Sequence, residues 1–369
     1  MKYFIFTFIF QFVFIIKTLG FTIPDDTLFK INNSFTLGVK LHYGLLIKHT
    51  KALQNLDDSY PYGIEADFSW HYCNKKAWDL CNCYPRLGFS CYFWNYGNPS
   101  QLGNGVITTG YVEPFFGFNK KFNFSLRAGA GFSFLSRPYD SINNPDNMAY
   151  GTKISFPLII AANLNYKIND KFIINYSLNY NHISNGGIKQ PNKGLNYPTM
   201  SVGLDYYFRN FNFIKREKTN WKELFPQRNH YYFSIFSAVK QIGHSDYKKY
   251  FIWGFYFKYS RQLARINALN ISAELIDHGA NKEILRRNYQ SNTDHHRAGI
   301  LLGHEFILGR FIFSQKFGVY CYDPSKLDDP VYQRYGLSFK ISRRIFTEIC
   351  LLSHRHIADF LDIRTGIHF

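Results

Sequence analysis

Strict alternation of apolar and polar side chains, sustained for a dozen residues at a time, most narrows what this chain can fold into. Between Phe122 and Phe134, one parity holds Phe122, Phe124, Leu126, Ala128, Ala130, Phe132 and Phe134. The other holds Asn123, Ser125, Arg127, Gly129, Gly131 and Ser133. Successive side chains of a strand point to opposite faces, so this segment is a strand with one apolar face and one polar, glycine-rich face. The segments 35–43 and 64–72 repeat the pattern, with Lys40 and His42 on the polar parity of the first and Glu65, Asp67 and His71 on that of the second. A secreted β-sandwich also alternates. Charges at strictly inward positions are costly in a sandwich core, whereas the polar lumen of a membrane barrel houses them and its apolar face meets lipid.

The N-terminus agrees with export. Lys2 precedes an apolar run from Tyr3 to Ile16, followed by Lys17, Thr18, Leu19 and Gly20. A charged start, a short apolar middle and a small residue at the end predict a secretory signal peptide over residues 1–20, since a spanning helix needs about 20 apolar residues. Export changes the meaning of the +17 net charge. In the cytosol it would suggest nucleic acid. At the outer membrane it suits phosphorylated lipid headgroups, and nucleic acid is not expected as a partner. Aromatic residues make up 19% of the chain, in keeping with the aromatic girdles of membrane barrels. The chain ends on a strand in which Leu361, Ile363, Thr365, Ile367 and Phe369 share a face; the last ring is expected to be buried at the barrel wall.

The alternation predicts about eight strands from Phe35 to Phe208 and about eight from Tyr231 to Phe369. Residues 209–230 break the pattern and form a connector. The expected fold is all-β: an antiparallel transmembrane β-barrel of about sixteen strands in one ring, with two eight-stranded barrels as the alternative. The units are then residues 21–208, which carry the chemistry, and 231–369, expected to be structural. Short turns at one end and longer loops at the other place the Ser184–Pro198 loop outside, while the long Cys73–Pro85 stretch falls on the short-turn side. Cys73, Cys81, Cys83 and Cys91 lie close in sequence and allow three disulfide pairings that spacing does not resolve.

One strand end stands apart. From Ile174 to Tyr180 the even residues form the apolar face, and continuing that parity reaches His182 and Ser184. Both then point outward at the long-loop end of the wall. Taken alone, such a pair is more often a wetted strand end than a site. It is also the minimum for an activated nucleophile, because serine needs a base to take its proton. Asn185, Gly186 and Gly187 could supply oxyanion donors, or they could simply make a tight turn.

The string from His182 through Ser184-Asn185-Gly186-Gly187 to Lys189, Pro191-Asn192, Gly194 and Asn196 resembles the active-site segment of the outer-membrane lipid A 3-O-deacylases, the PagL family. Tyr84-Pro85-Arg86-Leu87-Gly88-Phe89, Gly97-Asn98-Pro99 and Leu102-Gly103 are similar to that family as well. The second half resembles a longer, Bacteroidetes-type branch known as acyloxyacyl hydrolases. The resemblance implies Ser184 as nucleophile, His182 as general base and Asn196 as the third catalytic residue. It further implies Asn185, Gly186 and Gly187 at the oxyanion, and Lys189 and Lys193 against lipid A phosphates. No metal or cofactor is expected. Where the best-known members carry Glu, this chain carries Asn196; an amide can hold an imidazole but brings no negative charge to it. The implied activity is hydrolysis of an ester-linked 3-hydroxyacyl chain of lipid A in the outer leaflet. The competing expectations are a structural or pore-forming barrel, and an esterase of other outer-leaflet lipids. The doublet His295-His296 beside Asp294 and the string Ser353–Ala358 carry no copy of the motif.

Overall fold

The computed structural model describes residues 33–117, 120–210, 216–243, 246–355 and 357–369; the signal-peptide segment lies outside them. The first eight strands are β1 (Asn33–Gly44), β2 (Tyr62–Tyr72), β3 (Tyr84–Asn95), β4 (Asn104–Phe116), β5 (Phe122–Leu135), β6 (Ile154–Lys167), β7 (Phe172–Ser184) and β8 (Leu195–Tyr207). The second eight are β9 (Asn229–Lys240), β10 (Tyr250–Gln262), β11 (Asn267–His278), β12 (His296–Leu308), β13 (Phe311–Tyr322), β14 (Val331–Lys340), β15 (Ile345–His354) and β16 (Ile357–His368).

These sixteen strands form two closed antiparallel barrels, not one ring. β8 returns to β1, in register from Thr36↔Tyr207 to Gly44↔Thr199, and β16 returns to β9. The single ring expected from the alternation gives way to its alternative. Alternation fixes which face of a strand meets lipid but not which strand closes the ring, since either closure pairs every backbone group that hydrocarbon would leave unsatisfied.

An eight-stranded barrel is just wide enough to be filled by side chains, and both lumens are filled. In the first, Arg86 donates to Glu113 (2.8 Å) and to Asp205 (2.6 Å). Arg127 donates to Glu65 (2.6 Å) and lies 3.0 Å from Asp67, with its guanidinium 3.8 Å above the Tyr111 ring. In the second, Arg334 bridges Glu274 and Asp362, and Lys258 meets Glu305 at 2.5 Å. Toward the long-loop end the first lumen turns apolar: Trp94, Tyr96, Leu102, Ile107, Leu135, Ile183 and Tyr197 are fully buried in one cluster with Leu53 and Leu56 of the β1–β2 loop. A wholly polar lumen was the expectation there. The ionic layer and this plug occupy the bore of the first barrel.

The Cys73–Pro85 stretch does lie at the short-turn end. It folds into helix α1 (Lys75–Cys81), capped by the Asn74 side chain and closed by a Cys81–Cys83 disulfide. The connector carries the short helix α2 (Trp221–Leu224), and the β11–β12 loop carries α3 (Gly279–Arg287). At the C-terminus, Phe369 exchanges backbone hydrogen bonds with Tyr231 (2.9 and 3.2 Å). Its ring lies on the outward, apolar face of the wall with Ile367, 61% exposed in the bare protein.

Glu113 is the hub of the first lumen, accepting from Arg86, Arg127, Ser125 and Asn163. Glu113→Ala leaves buried guanidinium charge uncompensated, which costs about 3–5 kcal/mol. The urea midpoint of the detergent-folded chain should fall accordingly, and Glu113→Gln should fall less.

Candidate active site

The β7–β8 hairpin fixes the site by alternation. Ile183, Leu195 and Tyr197 point inward and are fully buried in the apolar plug. Their neighbours His182, Ser184 and Asn196 therefore point outward, continuing the face on which Tyr176, Leu178 and Tyr180 are exposed. The register sets His182 directly opposite Asn196. Anchoring alternate residues in a packed core makes the outward set rigid, as a preorganised site requires.

His182 Nδ1 lies 2.6 Å from Asn196 Oδ1. An amide oxygen only accepts, so Nδ1 is the donor and the Nε2 lone pair is left free. Asn196 Nδ2 in turn lies 3.1 Å from His49 Nδ1, 147 residues away in sequence. His49 Nε2 lies 2.8 Å from the Lys193 carbonyl. Ser184 is buried, 7% exposed, and among the described residues no hydrogen bond joins it to His182. The structure thus brings together His182 and Asn196, places Ser184 two residues along the same face, and adds His49. Sequence periodicity could not find His49, which sits in the loop after β1.

The loop from Asn185 to Gly194 is held by its own polar groups. Asn185 Nδ2 donates to Lys189 O (2.7 Å), its Oδ1 accepts from Gly187 N (3.1 Å), and its backbone N donates to Asn192 Oδ1 (2.9 Å). Two of the three oxyanion candidates thus build the turn, although Asn185 Nδ2 keeps a second N–H. Among the described residues, the Gly186 N–H has no partner. Gly194 adopts φ +78° and passes over the His182 ring, where a Cβ would lie 3.0 Å from Cε1. Lys193 N and Gly194 N donate to Met148 O and Ala149 O, tying the loop to the β5–β6 connection. The Lys193 side chain is exposed, while Lys189 lines an open cleft with Arg137, Asp140 and Lys153.

The second barrel touches this loop. The β9–β16 ladder runs only from Ile363↔Ser237 to His368↔Tyr232, so the long-loop ends of both strands lie outside it. At that seam Leu361 N donates to Gly186 O (2.9 Å) and Gln190 N donates to Gln241 Oε1 (3.2 Å). Gly186 and Gly187 have φ +62° and +80°, and their missing Cβ atoms would collide with Leu361 and with the Asp359 carbonyl.

Two closed barrels with apolar outer walls, the first carrying a polar serine–histidine–amide cluster at its rim, define a membrane β-barrel protein. Residues 62–205 match the family described as lipid A 3-O-deacylase (PagL), and residues 229–369 match the acyloxyacyl hydrolase C-terminal domain, PagL_C. Each barrel thus matches one of two PagL-type family models, the first the deacylase model and the second its C-terminal companion. Solved structures similar to it include "the outer membrane enzyme PagL", at 14% identity over 45% of this chain and 97% of that one, TM-score 0.34. Neisserial surface protein A is similar at 12% identity over 48% and 99%, TM-score 0.32. No curated protein matches the chain.

If the seam holds the loop, Gly187→Ala should destabilise the folded chain by about 1–3 kcal/mol through backbone strain and collision. Gly243→Ala, with nothing within 4 Å of its added Cβ, should leave the unfolding midpoint unchanged.

Proposed function

We propose that this protein is a serine ester hydrolase that removes an ester-linked 3-hydroxyacyl chain from lipid A in the outer leaflet. The observation carrying this reading is the His182–Asn196 hydrogen bond, which leaves a basic Nε2 on the same outward face as Ser184. Cα atoms two residues apart on a strand are about 6.6 Å apart, within reach once both side chains lean together.

Ser184 Oγ attacks the ester carbonyl carbon as His182 Nε2 takes its proton. The tetrahedral oxyanion draws on the Gly186 N–H and the spare N–H of Asn185, donors held by the loop before the reaction begins. When the intermediate collapses, the departing sugar alkoxide takes the proton back from Nε2. Water then attacks the acyl carbon and gives a proton to the same nitrogen; the second intermediate collapses by breaking the bond to Ser184 Oγ, which takes that proton as the hydroxy acid leaves. Nothing in this sequence calls for a cofactor. The apolar outer wall around Tyr180 and Met200 suits acyl chains, and the cleft with Lys189, Arg137 and Lys153 suits a phosphate, with Lys193 exposed nearby.

Mass spectrometry of lipid A from cells expressing the wild-type chain should show loss of one hydroxyacyl mass, and Ser184→Ala should leave lipid A intact. Intact lipid A with the wild-type barrel folded in the outer membrane would overturn the reading. Cleavage of phospholipid in its place would identify an esterase of other outer-leaflet lipids.

A further inference from the structure

We propose that His49 is a positioning residue that makes up for the missing carboxylate, by fixing and polarising the amide that holds the general base. This rests on the serine–histidine reading above.

The proton order of the chain can be read from its fixed end. The Lys193 carbonyl can only accept, so His49 Nε2, 2.8 Å away, carries the proton. In neutral imidazole His49 Nδ1 is then a lone pair, and its nearest polar neighbour is Asn196 Nδ2 at 3.1 Å. The Ile47 carbonyl is the longer contact at 3.4 Å. An amide that donates from Nδ2 to His49 must turn Oδ1 toward His182, and Oδ1 in turn fixes the proton on His182 Nδ1. Nε2 of His182 is thereby left unprotonated. Among the described residues no other group is placed to select this orientation. The reversed amide would aim an N–H at His182 Nδ1, put the proton on Nε2 and abolish the base.

The second contribution is electronic. Donation from an amide N–H to a good acceptor shifts charge onto the amide oxygen, and hydrogen bonds in a chain strengthen one another. Oδ1 becomes a stronger acceptor for the imidazolium that forms during attack. A carboxylate does this with its own charge; Asn196 does it with a neighbour behind it. His49 is half-buried in the β1–β2 loop, and that loop is itself fastened to the hairpin: Ile47 N donates to Asn196 O at 2.8 Å.

The test is steady-state deacylation of purified lipid A by the full chain folded in detergent. The variants are His49→Leu, His49→Gln, Asn196→Asp, and Asn196→Asp with His49→Leu, with Ser184→Ala as the reference. Folding is checked by heat-modifiable gel mobility. His49→Leu should lower kcat roughly ten- to a hundredfold at unchanged KM, part of the roughly 10²–10⁴ a general base supplies. His49→Gln can accept from Asn196 and donate to Lys193 O, and should recover activity to within about threefold of wild type. In the Asn196→Asp background the carboxylate supplies its own charge and has no N–H to misplace. There the His49→Leu loss should shrink to about threefold or less. Wild-type kcat in folded His49→Leu, or an equal loss in both backgrounds, overturns the proposal while leaving the serine mechanism standing. Full activity in Ser184→Ala removes that mechanism and the relay with it.

Discussion

Inside hydrocarbon no backbone N–H or C=O can be left without a partner, so a sheet that crosses a membrane must close on itself. The other features follow from closure. A closed eight-stranded ring has an outside that must be apolar and an inside only wide enough for side chains. Each strand must therefore alternate, and each lumen must pair the charges it contains. Arg86, Arg127, Glu65, Asp67, Glu113 and Asp205 form one such set in the first barrel. Buried pairs of this kind add little net stability, but losing one member is costly, so they specify the lumen rather than drive folding.

Closure also decides where chemistry can sit. The lumens are occupied, and the membrane-facing wall tolerates few polar groups. The long-loop rim of the outer wall remains, where His182, Ser184 and Asn196 lie. The acidic groups nearest in sequence are no help there: Asp205 points inward and is held by Arg86. The support for His182 therefore comes from Asn196 on β8 and, behind it, from loops that supply His49 and the Lys193 carbonyl. The second barrel, expected to be structural, presses its open β9–β16 seam against the turn that follows Ser184.

Much of this was legible in the sequence because a period of two is unambiguous. The strands, the charged inward parity and the outward direction of His182 and Ser184 follow from alternation. The pairing of His182 with Asn196 followed from the motif it resembles, and the register makes it concrete. Features set by tertiary partners were not legible. One ring or two depends on which strand β8 meets. The apolar plug uses inward positions that alternation alone marks as polar lumen. His49 comes from a loop without periodicity, and the short Cys81–Cys83 link depends on the path of a helix-bearing turn.

The most direct test of the central claim is covalent labelling of the detergent-folded chain with a serine-reactive fluorophosphonate, followed by peptide mapping. An activated Ser184 should carry the label at one site, and His182→Ala should abolish labelling while the barrel stays folded. No adduct at Ser184 in the folded wild-type chain, or labelling that survives His182→Ala unchanged, would contradict a nucleophile activated by this histidine.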